Sequence, residues 1–245
     1  MGLPHLISIV GAGPGDPELL TIKALNRLKE ADVILYDALL GDEILAFANP
    51  SAIQKYVGKT YNDGQNQTER QDAIHKELLH WAEKGKKAVR LKTGDPMIFA
   101  RGVEEIRFCR ANNLNFEVIP GVTAGLAAAS IFSIPITERG KSNMVAFYTA
   151  TRQQEGFHSV DPLFQILKTG SSVVVYMGLN HLLQLAFELI EKGADQQTPV
   201  IIAENVSRAN QNFYKTSLAE VDTFLKENKP CSPAVIIIGE HVEPI

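Results

Sequence analysis

Cysteine is nearly missing from this chain: Cys109 and Cys231 are the whole complement. Two such residues without CxxC spacing exclude a disulfide framework, and both thiols are expected to be inert. The six histidines are scattered, and His75 and His80, five apart, fall on different faces of a helix. No protein-ligated metal is expected. No apolar run approaches the roughly 20 residues of a membrane span, and Met1–Ile7 lacks the basic region that opens a signal peptide. Leu6 stands where a myristoylation pattern beginning at Gly2 requires Ser or Thr. A cytoplasmic protein with no membrane partner is the expectation. Basic residues are also in deficit, 24 Lys and Arg against 28 Asp and Glu, for a net charge of −4. That argues against nucleic-acid binding. It leaves room for a local basic cleft, whose field depends on the charges lining it.

An apolar fraction of 45% over 245 residues suffices for a large core in one or two domains. Strand patterns occur at Leu6–Val10, Asp32–Tyr36, Tyr56–Lys59 (a strand end), the run entering Thr93, and Phe116–Ile119. Helices are predicted over Glu18–Ala31, Thr68–Lys84 and Pro96 to about Asn112, with a polar loop at Asn62–Gln67. This alternation predicts βαβ units and a mostly parallel sheet. Near Gly121 the rhythm changes, and Val122–Ile131, small and apolar all round, reads as a buried helix. The predicted domains are 1–120 and 121–245. In the second, strands are expected at Met144–Thr149, Val173–Tyr176, Val200–Ala203, Gln211–Thr216 and Ala234–Ile238, forming a mixed sheet.

Two strand-to-helix turns carry the candidate chemistry. Val89-Arg90-Leu91-Lys92 enters Thr93-Gly94-Asp95-Pro96, where Gly94 permits a sharp turn or a close approach. Asp95 can cap the following helix and Pro96 suits its first position. In open α/β sheets, ligands sit at the strands' carboxyl ends, where such a turn lies. The earlier loop, Gly11-Ala12-Gly13-Pro14-Gly15-Asp16-Pro17, misses the G-x-G-x-x-G dinucleotide spacing because Asp16 replaces its last glycine. A carboxylate there would repel a pyrophosphate. The loop is expected to wall a cleft, with Asp16 and Pro17 opening the helix behind it.

Five blocks in register carry a family resemblance. Val10–Thr21 resembles the amino-terminal signature of the tetrapyrrole methylases. Gly94-Asp95-Pro96 with Phe99-x-Arg101-Gly102-x-Glu104-Glu105 resembles their second signature, in the form typical of members acting on uroporphyrinogen III. Pro120–Ala124, Ile134–Thr137 and Val175–Leu179 resemble further blocks. The similarity runs from about residue 6 to 240. It implies an α/β, two-domain tetrapyrrole methylase fold with a mostly parallel N-terminal sheet and a mixed C-terminal one. The active site would lie in the interdomain cleft, usually in a homodimer. The implied donor is S-adenosylmethionine, leaving as S-adenosylhomocysteine. The implied reaction methylates two ring carbons of uroporphyrinogen III, giving precorrin-2 for sirohaem or cobalamin synthesis, with no metal.

Residue by residue, the resemblance implies Asp37 as proton acceptor, Lys59 as proton donor and Arg101 as the group orienting an anionic substrate. Pro14, Thr93, Gly94, Asp95, Ile98, Thr123, Ala124, Met177, Val206 and Ala234 would bind the donor, the Asp95 carboxylate facing its polar groups. Chemistry agrees in part. The ring carbon draws nucleophilicity from its own nitrogen, so the protein has to position reactants and manage protons. An aspartate whose pKa is lifted by desolvation can serve as base. Lys59, Lys92, Arg101 and Arg139 are cations placed in loops that suit a polycarboxylate. Plainer roles compete: Asp37 as a helix cap, Lys59 as a solvated charge, Arg101 paired with Glu104 or Glu105, Met177 as core filler.

The chain departs from the family pattern at Thr93 and Ala100, where glycine is usual, at Glu138 for a histidine, at Thr149-Ala150-Thr151, and at Val206 for a smaller residue. Val206 would narrow a nucleoside pocket. The rival readings are a methyltransferase acting later on the corrin ring, a relative of the same fold with another substrate, or a weakly active tetrapyrrole-binding or donor-binding protein.

Overall fold

Short runs of apolar and β-branched residues form the strands of the first half, as such residues do when both faces of a sheet are covered. The computed structural model describes residues 6–58, 67–150 and 159–245. The expectations for Lys59, Thr151 and the polar stretch 62–66 fall outside these residues. The chain divides into two compact units, Met1–Thr123 and Ala124–Ile245.

In the first unit, β1 (Ile7–Gly11), β2 (Val33–Tyr36), β3 (Ile53–Tyr56), β4 (Ala88–Lys92) and β5 (Phe116–Ile119) form one sheet in the order β3-β2-β4-β1-β5. Every pairing is parallel. On one face, α1 (Ile22–Glu30) and α2 (Asp42–Leu45) place Ala24, Leu28, Ile44 and Leu45 against Val10, Ile34, Val89 and Leu91. On the other, α3 (Gln67–Glu83) and α4 (Gly102–Ala111) place Ile74, Leu78 and Cys109 against Ile9, Leu35 and Ala88. β1 and β4 are neighbours, but the chain leaves β1 towards β2 and leaves β4 towards β5. Such a reversal opens a crevice at the strands' carboxyl ends.

The second unit is mixed. β6 (Val145–Thr149) runs parallel to β7 (Ser172–Tyr176); β10 (Ala234–Ile238) lies antiparallel between β7 and β8 (Pro199–Glu204), and β9 (Asn212–Ser217) closes the edge. Its helices are α5 (Ala124–Ile131), α6 (Asp161–Leu167), α7 (Leu182–Glu191) and α8 (Val221–Glu227). α7 buries Leu182, Leu185, Ala186 and Leu189, the i, i+3, i+4, i+7 stripe that a core-facing helix needs.

Three local expectations are corrected. The helix expected over Glu18–Ala31 is a short 3₁₀ turn, Pro17–Leu19, then α1. Leu20 is extended between them, and Thr21 starts a new helix by accepting a bond from the Ala24 N–H at 3.1 Å. Pro96 does not open a helix either: α4 begins at Gly102, after a run of turns. α5 is buried at Gly125, Ala127 and Ala128 but exposes Leu126 and Ile131, so it is not covered on all sides. No helix among the described residues is long and apolar enough to cross a membrane.

Candidate active site

Three glycines bring the β1, β4 and β5 loops into contact. A Cβ on Gly11 would lie 2.6 Å from the Gly121 nitrogen and 2.7 Å from the Gly94 oxygen. One on Gly121 would lie 2.3 Å from the Gly94 oxygen. No side chain fits at either place, and Gly94 turns with φ +70°. The Gly94 N–H donates to the Gly13 carbonyl at 2.7 Å, and Ala12 N–H donates to the Lys92 carbonyl at 2.8 Å. Asp95 locks the third loop: its Oδ1 accepts from Met97 N–H at 2.8 Å and its Oδ2 from Gly121 N–H at 3.1 Å. The Asp95 carboxylate thus holds its own loop through one oxygen and ties it to the β5 loop through the other. Thr123 is buried, its Cα 3.8 Å from where a Gly94 Cβ would stand. Pro14 is buried and Ile98 half-buried along the same loops. The Thr93 hydroxyl is buried with no protein partner, a condition native structures usually resolve with a ligand or water.

Beside these loops lies an open cavity of about 340 Å³ lined by residues of the first unit, among them Asp37, Arg70, Arg90, Lys92, Thr93 and Arg101. The structure thus brings Asp37, Thr93 and Arg101 to one place. Asp37 follows the last residue of β2 and does not cap a helix: Arg90 Nη2 donates to its two oxygens at 2.8 and 2.7 Å. The carboxylate is thus clamped by a guanidinium rather than isolated in apolar surroundings. Arg90 Nε and Lys92 Nζ both donate to Oε1 of Glu105, at 3.1 and 2.8 Å. Glu105 is fully buried on α4. Lys92 is likewise buried at the end of β4, not in a loop. Burial pushes its pKa down, and the Arg90 charge adds to this against the pull of Glu105. Burial also works against the Arg90 charge, but Glu105 and Asp37 outweigh it and hold its pKa up.

Arg101 sits at φ +60° immediately before α4. Its Nε and Nη2 donate to the two Glu104 oxygens at 2.7 and 2.6 Å, holding the Glu104 carboxyl below its usual range. Phe99, at φ +51°, lines the cavity beside it. Glu138 accepts from Lys141 at 2.8 Å within its own turn, so its charge is balanced locally. Arg139 belongs to the second unit and is not among the residues lining this cavity. Arg70, Arg90 and Glu105 were not singled out from sequence. The available signal was the alternation of Arg90 and Lys92 in an otherwise apolar strand, since buried charges require partners.

In the second unit, β10 runs against both β7 and β8, so its first residue, Ala234, lies at the end where those strands finish. Met177 follows β7 and Val206 closely follows β8, which puts Met177, Val206 and Ala234 at one end of this sheet. Met177, Asn205 and Ser207 all have positive φ, backbone strain of the sort that gathers at ligand sites. Val206 is buried, whereas Met177 is half-exposed, which sets aside core filler as its role. Ala124 opens α5. Among the described residues, no group of three or more His, Cys, Asp or Glu stands where it could hold a metal.

Comparison with known proteins agrees with this layout. The family of Tetrapyrrole (Corrin/Porphyrin) Methylases matches residues 6–222. The uroporphyrinogen-III C-methyltransferase of Bacillus subtilis is 41% identical over 96% of this chain and 90% of its own length. The siroheme synthase of Psychrobacter arcticus is also 41% identical over 96% of this chain, which spans only 42% of that protein. The crystal structure of the Thermus thermophilus uroporphyrin-III C-methyl transferase complexed with S-adenyl homocysteine superimposes with a TM-score of 0.82 at 37% identity, covering 96% of this chain and 98% of the other. This chain belongs to the tetrapyrrole methylases.

Proposed function

We propose that the protein transfers methyl groups from S-adenosylmethionine to two ring carbons of uroporphyrinogen III, giving precorrin-2 and two molecules of S-adenosylhomocysteine. The observation that carries this reading is the cavity whose described lining places Asp37, clamped by Arg90, beside the cations Arg70, Lys92 and Arg101. A macrocycle fringed with carboxylates calls for such cations at its binding site. Attack of the ring carbon on the methyl group breaks the sulfonium S–C bond and leaves the ring nitrogen positively charged, so a base is needed for the N–H proton, a role that Asp37 fills. Lys59 is the proposed proton donor and Arg101 the residue that orients the substrate.

The donor supplies an electrophilic methyl group on a sulfonium. The residues proposed to hold it are Pro14, Thr93, Gly94, Asp95, Ile98 and Thr123 of the first unit with Ala124, Met177, Val206 and Ala234 of the second. The unpartnered, buried Thr93 hydroxyl supports a polar ligand at this turn. The enzyme is proposed to act in the cytoplasm as a homodimer, with domains at 1–120 and 121–245, on a path to sirohaem or cobalamin. Mass spectrometry of the product formed without oxygen from uroporphyrinogen III and the donor tests the reading. Two successive methyl additions are expected. Transfer only to an already methylated ring would move the assignment to a later corrin step, and donor binding with no transfer to any porphyrinogen would end it.

A further inference from the structure

We propose that Arg90 is a positioning residue: its guanidinium fixes the Asp37 carboxylate within the cavity and takes no part in holding the substrate. This rests on the reading of Asp37 as the proton acceptor. A guanidinium carries its N–H donors in a rigid planar fork, and all three nitrogens of Arg90 are engaged by protein acceptors. Nε donates to Glu105 Oε1 at 3.1 Å, and Nη1 to the carbonyls of Leu35 and Leu91 at 3.3 and 3.0 Å. Nη2 donates to Asp37 Oδ1 and Oδ2 at 2.8 and 2.7 Å. A substrate carboxylate entering the cavity meets an Arg90 whose every nitrogen already has a protein acceptor, although Arg90 lines the wall.

The fork is held from three directions. Leu35 and Leu91 belong to the paired strands β2 and β4, with Leu35 opposite Arg90 in register, so two of the acceptors are fixed by the sheet itself. The third anchor is Glu105, 0% exposed on α4, whose Oε1 is shared with Lys92. The Arg90 side chain is 2% exposed and Asp37 is 32% exposed. The clamp is therefore interior while the group it clamps reaches the cavity. This arrangement separates orientation from substrate contact, and a base displaced by about 1 Å loses on the order of 100-fold in rate.

The test is a double-mutant cycle on the full-length enzyme with uroporphyrinogen III as substrate. Arg90→Lys keeps a cation for Glu105 and Asp37 but has three donors and no planar fork, so it cannot reproduce the five bonds. A drop in kcat of about 100-fold is expected with KM for the macrocycle within about 3-fold of wild type. Asp37→Asn is expected to lose about 100-fold or more, and the double variant to fall within about 2-fold of Asp37→Asn alone, because Arg90 acts through Asp37. Should Arg90→Lys fail to fold, the doubly neutral Arg90→Met/Glu105→Gln, compared with and without Asp37→Asn, reads the same coupling. A raised KM with kcat retained would make Arg90 a substrate ligand and overturn the proposal; so would a double variant losing the product of the two single factors. A wild-type enzyme that methylates no porphyrinogen overturns the functional reading and this one with it, whereas an active wild type with additive variants overturns this one alone.

Discussion

Individual side chains show how position decides chemistry. Glu117 on β5 accepts from Ser8 at 3.0 Å and pairs with Arg27 and Lys23 of α1. Burial alone would raise its pKa, but the bonds from Arg27, Lys23 and Ser8 outweigh that and bring it down to about 2. A carboxyl depressed from 4.5 in the folded state contributes stability that is complete above about pH 4.5 and lost as pH falls towards 2. Glu117→Gln is expected to cost about 1–3 kcal/mol at pH 7 and to flatten the acid limb of the stability profile, measured by urea unfolding at stepped pH. Loss of the same stability at pH 2.5 as at pH 7 would contradict this. The two thiols separate in the same manner. Burial pushes Cys109 up to about 11, whereas Cys231 is exposed on the surface. A thiol-directed reagent at pH 8 is expected to modify one cysteine in the native protein and two after unfolding. The expectation that both are inert thus holds for Cys109 on physical grounds, while exposed Cys231 is the thiol that labels.

Among elements, the glycine contacts bear the clearest test. Gly94→Ala strains a left-handed turn but has space, its nearest atom being the Thr123 Cα at 3.8 Å; a cost of about 1–2 kcal/mol is expected. Gly121→Ala drives a methyl into the Gly94 carbonyl at 2.3 Å and is expected to cost more, up to about 3 kcal/mol. Urea midpoints of the two variants check the order, and Gly94→Ala as the worse of the pair would show that the β4 and β5 loops are not in tight contact. Much of this layer was legible beforehand. Val173–Tyr176 and Ala234–Ile238 announced themselves by β-branched runs, and Phe116–Ile119 by its flanking turns. β3 was seen only as a strand end because three of its four residues are exposed and polar pattern replaces apolar pattern there. α2, four residues long, has no period to detect. The site followed the same division. Asp37, Thr93 and Arg101, at a strand end and in turns, were marked by the family resemblance, and they share one cavity. Arg90 and Glu105 escaped because their pairing spans 15 residues and joins a strand to a helix. Spacing offered Glu104 or Glu105 as the partner of Arg101; Glu104 takes that role, and Glu105 turns inward to Arg90 and Lys92.

At the scale of the whole molecule, the sign of the net charge and the sign of the cavity disagree. The chain carries −4, while among the described residues the cavity lining has four cations, Arg70, Arg90, Lys92 and Arg101, and one carboxylate, Asp37. The overall charge slows the approach of a polyanion at long range, but within a cleft the lining charges govern. The balance there is moderated, because Glu105 and Glu104 stand directly behind Lys92 and Arg101. A shallow dependence on ionic strength follows rather than a steep one. Raising salt from about 50 to 500 mM shortens the screening length from about 14 to about 4 Å, and KM for the macrocyclic polycarboxylate is expected to rise about 5-fold. KM for the donor, which carries both signs of charge, is expected to change less than about 2-fold over the same range. Steady-state kinetics at four or five salt concentrations decides the matter. A KM for the macrocycle that falls as salt rises would mean that the −4 surface, not the cationic lining, controls its capture, and would remove the electrostatic support for a polycarboxylate in this cavity.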